Sequence, residues 1–259
     1  MHKIGSSIAF AVAVLVGNVH GQTTVSNDLA PTGKFRVGMN ANNPSLVTRN
    51  ADGTVSGLSA ELGRFIAAKI GTPFEAVVYD SAAPFTASFH QSEWDIILTG
   101  KNAVVAKLLD FNADLFHVEY VYVAAPEREF ADPGEVDRAG VRIAVPRNAS
   151  ADVYLSRTLK SAQLVRVDGD VNVAIEMLRA GQADVYASSI NSGGALVSRM
   201  PGAKIVGPFQ TVVFAVAVQK GRSPAAHEQL ARWIDEAKTT GLVQRALDGA
   251  GAKGVRIVP

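Results

Sequence analysis

No cysteine occurs anywhere in the sequence, so disulfides, thiolate nucleophiles and Cys-ligated zinc are excluded. Beyond residue 21 the only histidines are His90, His117 and His227, too few and too scattered for multi-histidine metal chemistry. Charge of one sign is also lacking. Twenty-five Lys and Arg against 24 Asp and Glu leave a formal +1, without the surplus that neutralising a phosphate backbone requires, so nucleic acid is not an expected partner. No G-x-S-x-G elbow, H-E-x-x-H or P-loop is present. His227-Glu228 has no second His at the needed spacing, and the G-x-G-x-x-G match at Gly249 to Gly254 follows a helix rather than a strand. The sequon Asn148-Ala149-Ser150 is short enough to arise by chance. What is present is apolar bulk: 47% of 259 residues are hydrophobic and 19% charged, enough for one large core or two modest ones.

The chain opens with a short basic start at His2-Lys3, then an apolar run from Ile4 to Gly17. That run falls short of the roughly 20 residues a membrane span takes. Val19 and Gly21 stand at the −3 and −1 positions of a cleavage site before Gln22, so residues 1–21 read as a secretory signal peptide. With no Cys to carry a lipid and no later long apolar run, the mature chain is expected in the periplasm, as a monomer.

Alternation marks a first strand at Lys34 to Met39, and Leu58, Leu62, Phe65, Ile66 and Ile70 recur at helical spacing until Gly71-Thr72-Pro73. Phe74 to Tyr79 reads as a strand, Pro84 to Gln91 as a short helix, and Trp94 to Thr99 as a buried strand. The middle of the chain repeats the grammar: strands at 141–145, 162–167 and 184–187, helices at 151–159 and 171–179. Glu93 to Thr99 and Gln182 to Ser188 both place an Asp at the start of a strand that ends in a hydroxyl residue. Val212 to Val218 is a continuous apolar strand, followed by a helix through Leu230, Trp233, Ile234 and Ala237, a break at Thr239-Thr240-Gly241 and a last short helix. The expected fold is α/β: a two-lobed clamshell, each lobe a mainly parallel sheet flanked by helices. Lobe 1 takes residues 28–112 and 212–259, lobe 2 takes 113–211, and two crossings form a hinge.

Ligands of open parallel sheets sit beyond the carboxyl ends of the strands. Those ends supply Asn40, Asn42 and Asn43, then Thr99, Gly100, Lys101 and Asn102, then Arg147, Asn148 and Ser150, and Ser189. Asn and Ser also make ordinary turns at strand ends, but four such ends converging on one cleft point to a ligand site. The helix opening at Asn148 to Asp152 would offer N–H donors, and Lys101 and Arg147 would add positive charge, together suggesting an acidic ligand. Phe85 would form an apolar wall or belong to the core.

The order of these pieces resembles the family 3 solute-binding proteins of ABC transporters, the type II periplasmic binding proteins. The resemblance rests on Gly33 to Gly38, Gly57 to Leu62 with the helix through Gly71, Trp94 to Ile97, Asp110-Phe111, Gly140 to Val145 and Leu178 to Val185. It implies capture of a small amino-acid-like or organic-acid metabolite by lobe closure, delivery to a membrane permease, and no cofactor. In the family, a Thr-x-x-Arg segment after the third strand clamps the ligand carboxylate. Here Lys101 to Lys107 stands in that region, about two residues shorter, with Val105 where the Arg is expected. The Asp that receives the ligand ammonium is matched by Ser189, and the usual aromatic after strand one by Asn42 or Asn43. Lys cannot replace a bidentate Arg, so the usual amino-acid clamp is not expected. Two alternatives share the scaffold: a periplasmic enzyme of the cyclohexadienyl-dehydratase type, with Glu61, Glu119 or His117 as acid, or a sensory partner of a membrane receptor.

Overall fold

A computed structural model describes residues 25–258, and the expected leader at 1–21 lies outside the described residues. The first parallel unit follows the sequence pattern closely. Strand β1 (Phe35–Asn40) buries Phe35, Val37 and Met39. A two-stranded hairpin, β2 (Thr48–Arg49) with β3 (Val55–Ser56), closes around the Asp52-Gly53 turn. Helix α1 (Leu58–Ile70) lays Leu58, Leu62 and Ile66 on the sheet and stops at Gly71. Strand β4 (Phe74–Tyr79) pairs in parallel with β1, and β5 (Ile96–Gly100) takes the other edge of β1. Between them α2 (Ala82–Ala87) runs into a 3-10 turn, Ser88–His90, so the expected helix begins two residues earlier than its pattern suggested and tightens at its end.

A short helix, α3 (Val105–Leu108), leads into a 16-residue strand, β6 (Leu109–Ala124). The second parallel unit then places β7 (Arg142–Pro146) between β8 (Gln163–Val167) and β9 (Val185–Ser189), with α4 (Ser150–Thr158) and α5 (Val171–Arg179) as the crossover helices. Helix α6 (Ile190–Val197) follows directly on β9. Strand β10 (Lys204–Gln219) is again 16 residues long, and α7 (Pro224–Thr239), α8 (Leu242–Gly249) and β11 (Val255–Ile257) finish the chain.

The two long strands were not legible as such. Antiparallel β10 and β6 pair from Lys204 opposite Ala124 to Gln219 opposite Leu109. The last part of β10 also pairs with β5, antiparallel, and the last part of β6 pairs with β9. Each long strand therefore belongs to both halves, and the sheet runs β4-β1-β5-β10-β6-β9-β7-β8. The lobe limits expected at 112/113 and 211/212 fall inside β6 and β10, so the crossing between lobes is made by paired strands rather than loops.

Both lobes open on the same clasp. In the first, Asp95 accepts from the Arg36 backbone N–H at 2.8 Å and from its Nη2 at 3.0 Å. In the second, Asp184 accepts from the Arg142 backbone N–H at 2.8 Å and from its Nη2 at 3.0 Å. Each carboxylate is buried and satisfied by a forked guanidinium, which makes burying it tolerable. The paired Asp positions seen in the sequence are thus one structural device used twice.

Candidate functional site

The carboxyl ends of β1, β5, β7 and β9 face one cleft, where Asn40, Gly100, Pro146 and Ser189 line two adjoining cavities of about 80 and 70 Å³. Asn40, Asn43, Ala82, Tyr120 and Ala149 are common to both cavities. Asn42 and Ser189 line the first, and Phe85, Thr99, Gly100, Asn102, Asn148 and Ser150 line the second. Of the residues singled out in the sequence, Lys101 and Arg147 stand outside this lining. Lys101 Nζ lies 2.8 Å from Asp114 Oδ1 and over the Phe111 ring. Arg147 forks onto Asp168 through Nε at 2.6 Å and Nη2 at 2.8 Å. Arg147 beside it holds the Asp168 carboxyl below the usual range.

Many lining residues also do the turn chemistry that their type favours. Asn102 Oδ1 accepts from the N–H groups of Val104 and Val105, starting α3. Asn40 Oδ1 accepts from Asn42 N–H and Asn43 Oδ1 from Ser45 N–H. Ser189 caps α6 by accepting from Ser192 N–H. Asn148 takes a positive φ of 61°, and its N–H is accepted by Asp152 Oδ2 at 2.9 Å. Among the described residues the Nδ2 groups of Asn40 and Asn43, the Thr99 hydroxyl and the Asn148 side-chain amide make no hydrogen bond, which leaves them to a ligand or water.

The cleft is closed. Asn42 Nδ2 donates across it to the Gly169 carbonyl at 3.0 Å. Gly100 lets the start of α4 approach: a Cβ there would stand 2.5 Å from Ser150 Oγ and 2.9 Å from Val212 Cγ1. Tyr120, on the crossing strand β6, forms the floor. Burial pushes its phenol up to about 12. Tyr186 is raised further by burial, so both phenols stay neutral wherever the protein would work. Phe214, on β10, stacks on Phe116 with ring centroids 5.2 Å apart and completes an aromatic side. Val105, where the resemblance implies an arginine, is buried against the second cavity.

Tyr120, Tyr186, Phe214 and Asp170 were not foreseen. Tyr120 and Phe214 sit inside the two long crossing strands, and their approach to the strand ends follows only once those strands are known to pair. Asp170 caps α5, its Oδ1 accepting from Asn172 N–H at 2.9 Å. It is the sole carboxylate or cation lining either cavity among the described residues. The acids weighed for catalysis lie elsewhere: Glu61 lines an outer groove with Arg245, and His117 and Glu119 lie on β6 beside β11 or the segment just before it. No cluster of His, Cys, Asp or Glu able to hold a metal occurs among the described residues.

No family model and no curated protein matches the sequence. Solved structures do match. A variant of ArgBP from T. maritima superposes with a TM-score of 0.76 at 21% identity, covering 88% of this chain and 99% of that one. The solute receptor for L-cysteine of Neisseria gonorrhoeae gives 0.75 at 18% identity, over 87% and 92% of the two chains. AncCDT-1, an ancestral amino-acid-binding protein described as a precursor of cyclohexadienyl dehydratase, gives 0.74 at 15% identity, over 86% and 98%. At such identities the likeness speaks to the fold, which is the two-lobed fold of periplasmic binding proteins.

Proposed function

We propose that this protein is the solute-capturing component of an ABC-type importer: it takes a small polar metabolite into the cleft, closes on it and presents the closed form to a membrane permease. The observation that carries the reading is the convergence of four strand ends, two from each lobe, on cavities walled by amides, hydroxyls and aromatic rings. Such a site offers orienting amides and hydroxyls, with Asp170 as its one carboxylate among the described residues. The leader-like first 21 residues support a periplasmic location, and among the described residues no helix is long and apolar enough to cross a membrane. A lone chain would suffice for the capture step.

Two solved relatives are described as an arginine-bound ArgBP and a receptor for L-cysteine. With Val105 and Ser189 at the two anchor positions, this cleft does not reproduce the usual double ionic clamp on an amino acid. The dehydratase alternative needs an acid within reach of the substrate; Glu61, His117 and Glu119 do not line the cavities, and the carboxylate that does, Asp170, is engaged in capping α5.

The test is a thermal-shift screen of the protein against amino acids, organic acids, amines and sugars, followed by calorimetry. A ligand at 100 times its Kd stabilises the folded state by about 2.7 kcal/mol, or roughly 5 to 10 °C for a chain of this size. Silence in every class would overturn the reading.

A further inference from the structure

The cleft contains or borders five features that ordinarily attract anions; a carboxylate of the chain already meets four of them, and the fifth, the start of α6, is capped by the Ser189 hydroxyl. Lys101 is held by Asp114 and Arg147 by Asp168, both outside the lining. At the start of α4, Asp152 takes the Asn148 N–H and is itself held by Arg166 Nε at 3.0 Å. At the start of α5, Asp170 takes the Asn172 N–H with one oxygen and the Asn172 side-chain amide with the other, both at 2.9 Å. A helix start that carries its own carboxylate has lost most of its appeal to a second one. The inner wall, with Tyr120, Phe85 and Phe214, has no cation among the described residues to offset an entering carboxylate, and an unpaired buried charge is costly.

Resting on the importer reading, we infer that the solute is a small organic cation, an amine without a carboxylate, whose ammonium group lies towards Asp170 and whose remainder lies against the aromatic and amide wall. Each Asp170 oxygen retains a lone pair after its bond to Asn172. Aromatic faces favour a cation and tolerate its methylenes. The unpartnered acceptor side of Thr99 and the side-chain carbonyl of Asn148 can take further N–H donors. Cavities of about 80 and 70 Å³ each accommodate about six water-sized atoms, which limits the solute to roughly a dozen non-hydrogen atoms.

A matched series on one four-carbon stem separates the classes: putrescine, 4-aminobutanol, butane-1,4-diol, 4-aminobutyrate and succinate, each titrated calorimetrically into the full mature protein. The expected result is binding of putrescine or 4-aminobutanol, weaker at high salt, and none of succinate. The Asp170→Asn variant keeps a good N-cap and should melt like the parent, yet lose about tenfold in amine affinity. Binding of succinate or of butane-1,4-diol without any response to the amines would overturn the inference while leaving the importer reading in place. No binding in this series would overturn the inference, and silence in the wider screen as well would remove the importer reading with it. Amine binding unchanged by Asp170→Asn would overturn the assignment of the charge to Asp170.

Discussion

Asp95 and Asp184 show how much a single residue can be asked to hold. Each is buried immediately before a strand, and each receives a backbone N–H and a forked guanidinium from an Arg at the start of the neighbouring strand, Arg36 in β1 and Arg142 in β7. For Asp184, burial pushes the carboxyl up. Hydrogen bonds from Arg142 and the charges of Arg128 and Arg142 outweigh it, leaving the group below its ordinary range. A carboxyl lowered in the folded state contributes stability that is fully present above the unfolded value, about 3.9, and is lost as pH falls through the folded one. Asp184→Asn should cost about 2 kcal/mol at pH 7, read by urea unfolding, and the gap between variant and parent should narrow below about pH 4. Equal losses at pH 7 and pH 3 would contradict this account. The polar ends of the strands were legible in the sequence because Asn and Ser are the residues that turn a chain at those points. The fate of Lys101 and Arg147 was not, because their partners Asp114 and Asp168 lie 13 and 21 residues away and become neighbours only on folding.

The helices and short strands could be read because each satisfies a local rule: apolar spacing in α1 and α5, a continuous apolar run in β5, a Gly stop after α1. The 16-residue strands obey no such rule over their whole length. In β6, Asp110, Asn112, Asp114, His117 and Glu119 interrupt the apolar residues, giving an alternation visible mainly after its partners are known. In β10, Gly207 and Pro208 break the pattern, and the ladder is irregular on both sides of Pro208. The tail is a related case, since β11 is three residues long and gains its place by pairing with β6 at 116–118. Its anchor is a reciprocal pair: Lys253 N–H donates to Asn191 Oδ1 at 2.7 Å, and Asn191 Nδ2 donates to the Lys253 carbonyl at 3.2 Å. Gly254, at φ 60°, turns the chain where a Cβ would sit 3.0 Å from Ile190. The tail thus joins α8, packed on the first lobe, to α6, whose cap Ser189 lines the cleft. Asn191→Ala should cost about 1 kcal/mol and speed amide exchange at 255–258 while leaving exchange in β1 and β4 unchanged. Unchanged exchange at the tail would show that the strand pairing alone holds it.

In the importer reading, closure joins these parts into a working molecule, and the contacts that span the cleft would set how easily it opens. Asn42 was singled out as a ligand contact, but its amide nitrogen already bridges to Gly169 of the facing lobe. In the proposed closure it would act as a latch, with Gly100 the clearance that lets Ser150 come close enough for the latch to form. A latch contributes to affinity without touching the solute, because it raises the population of the binding-competent closed state. The absence of cysteine makes this directly measurable. Labels placed through Ala51→Cys in the first lobe and Arg157→Cys in the second report the interlobe distance without background. Asn42→Ala removes one hydrogen bond worth about 1 kcal/mol, so the labelled variant should show a larger open fraction and a roughly fivefold faster release of bound solute, with little change in the association rate. Gly100→Ala should push the distances the same way by wedging the lobes apart. If both variants keep the parent's distance distribution, the strand-paired hinge of β6 and β10, and not the contacts across the cleft, sets the closed state.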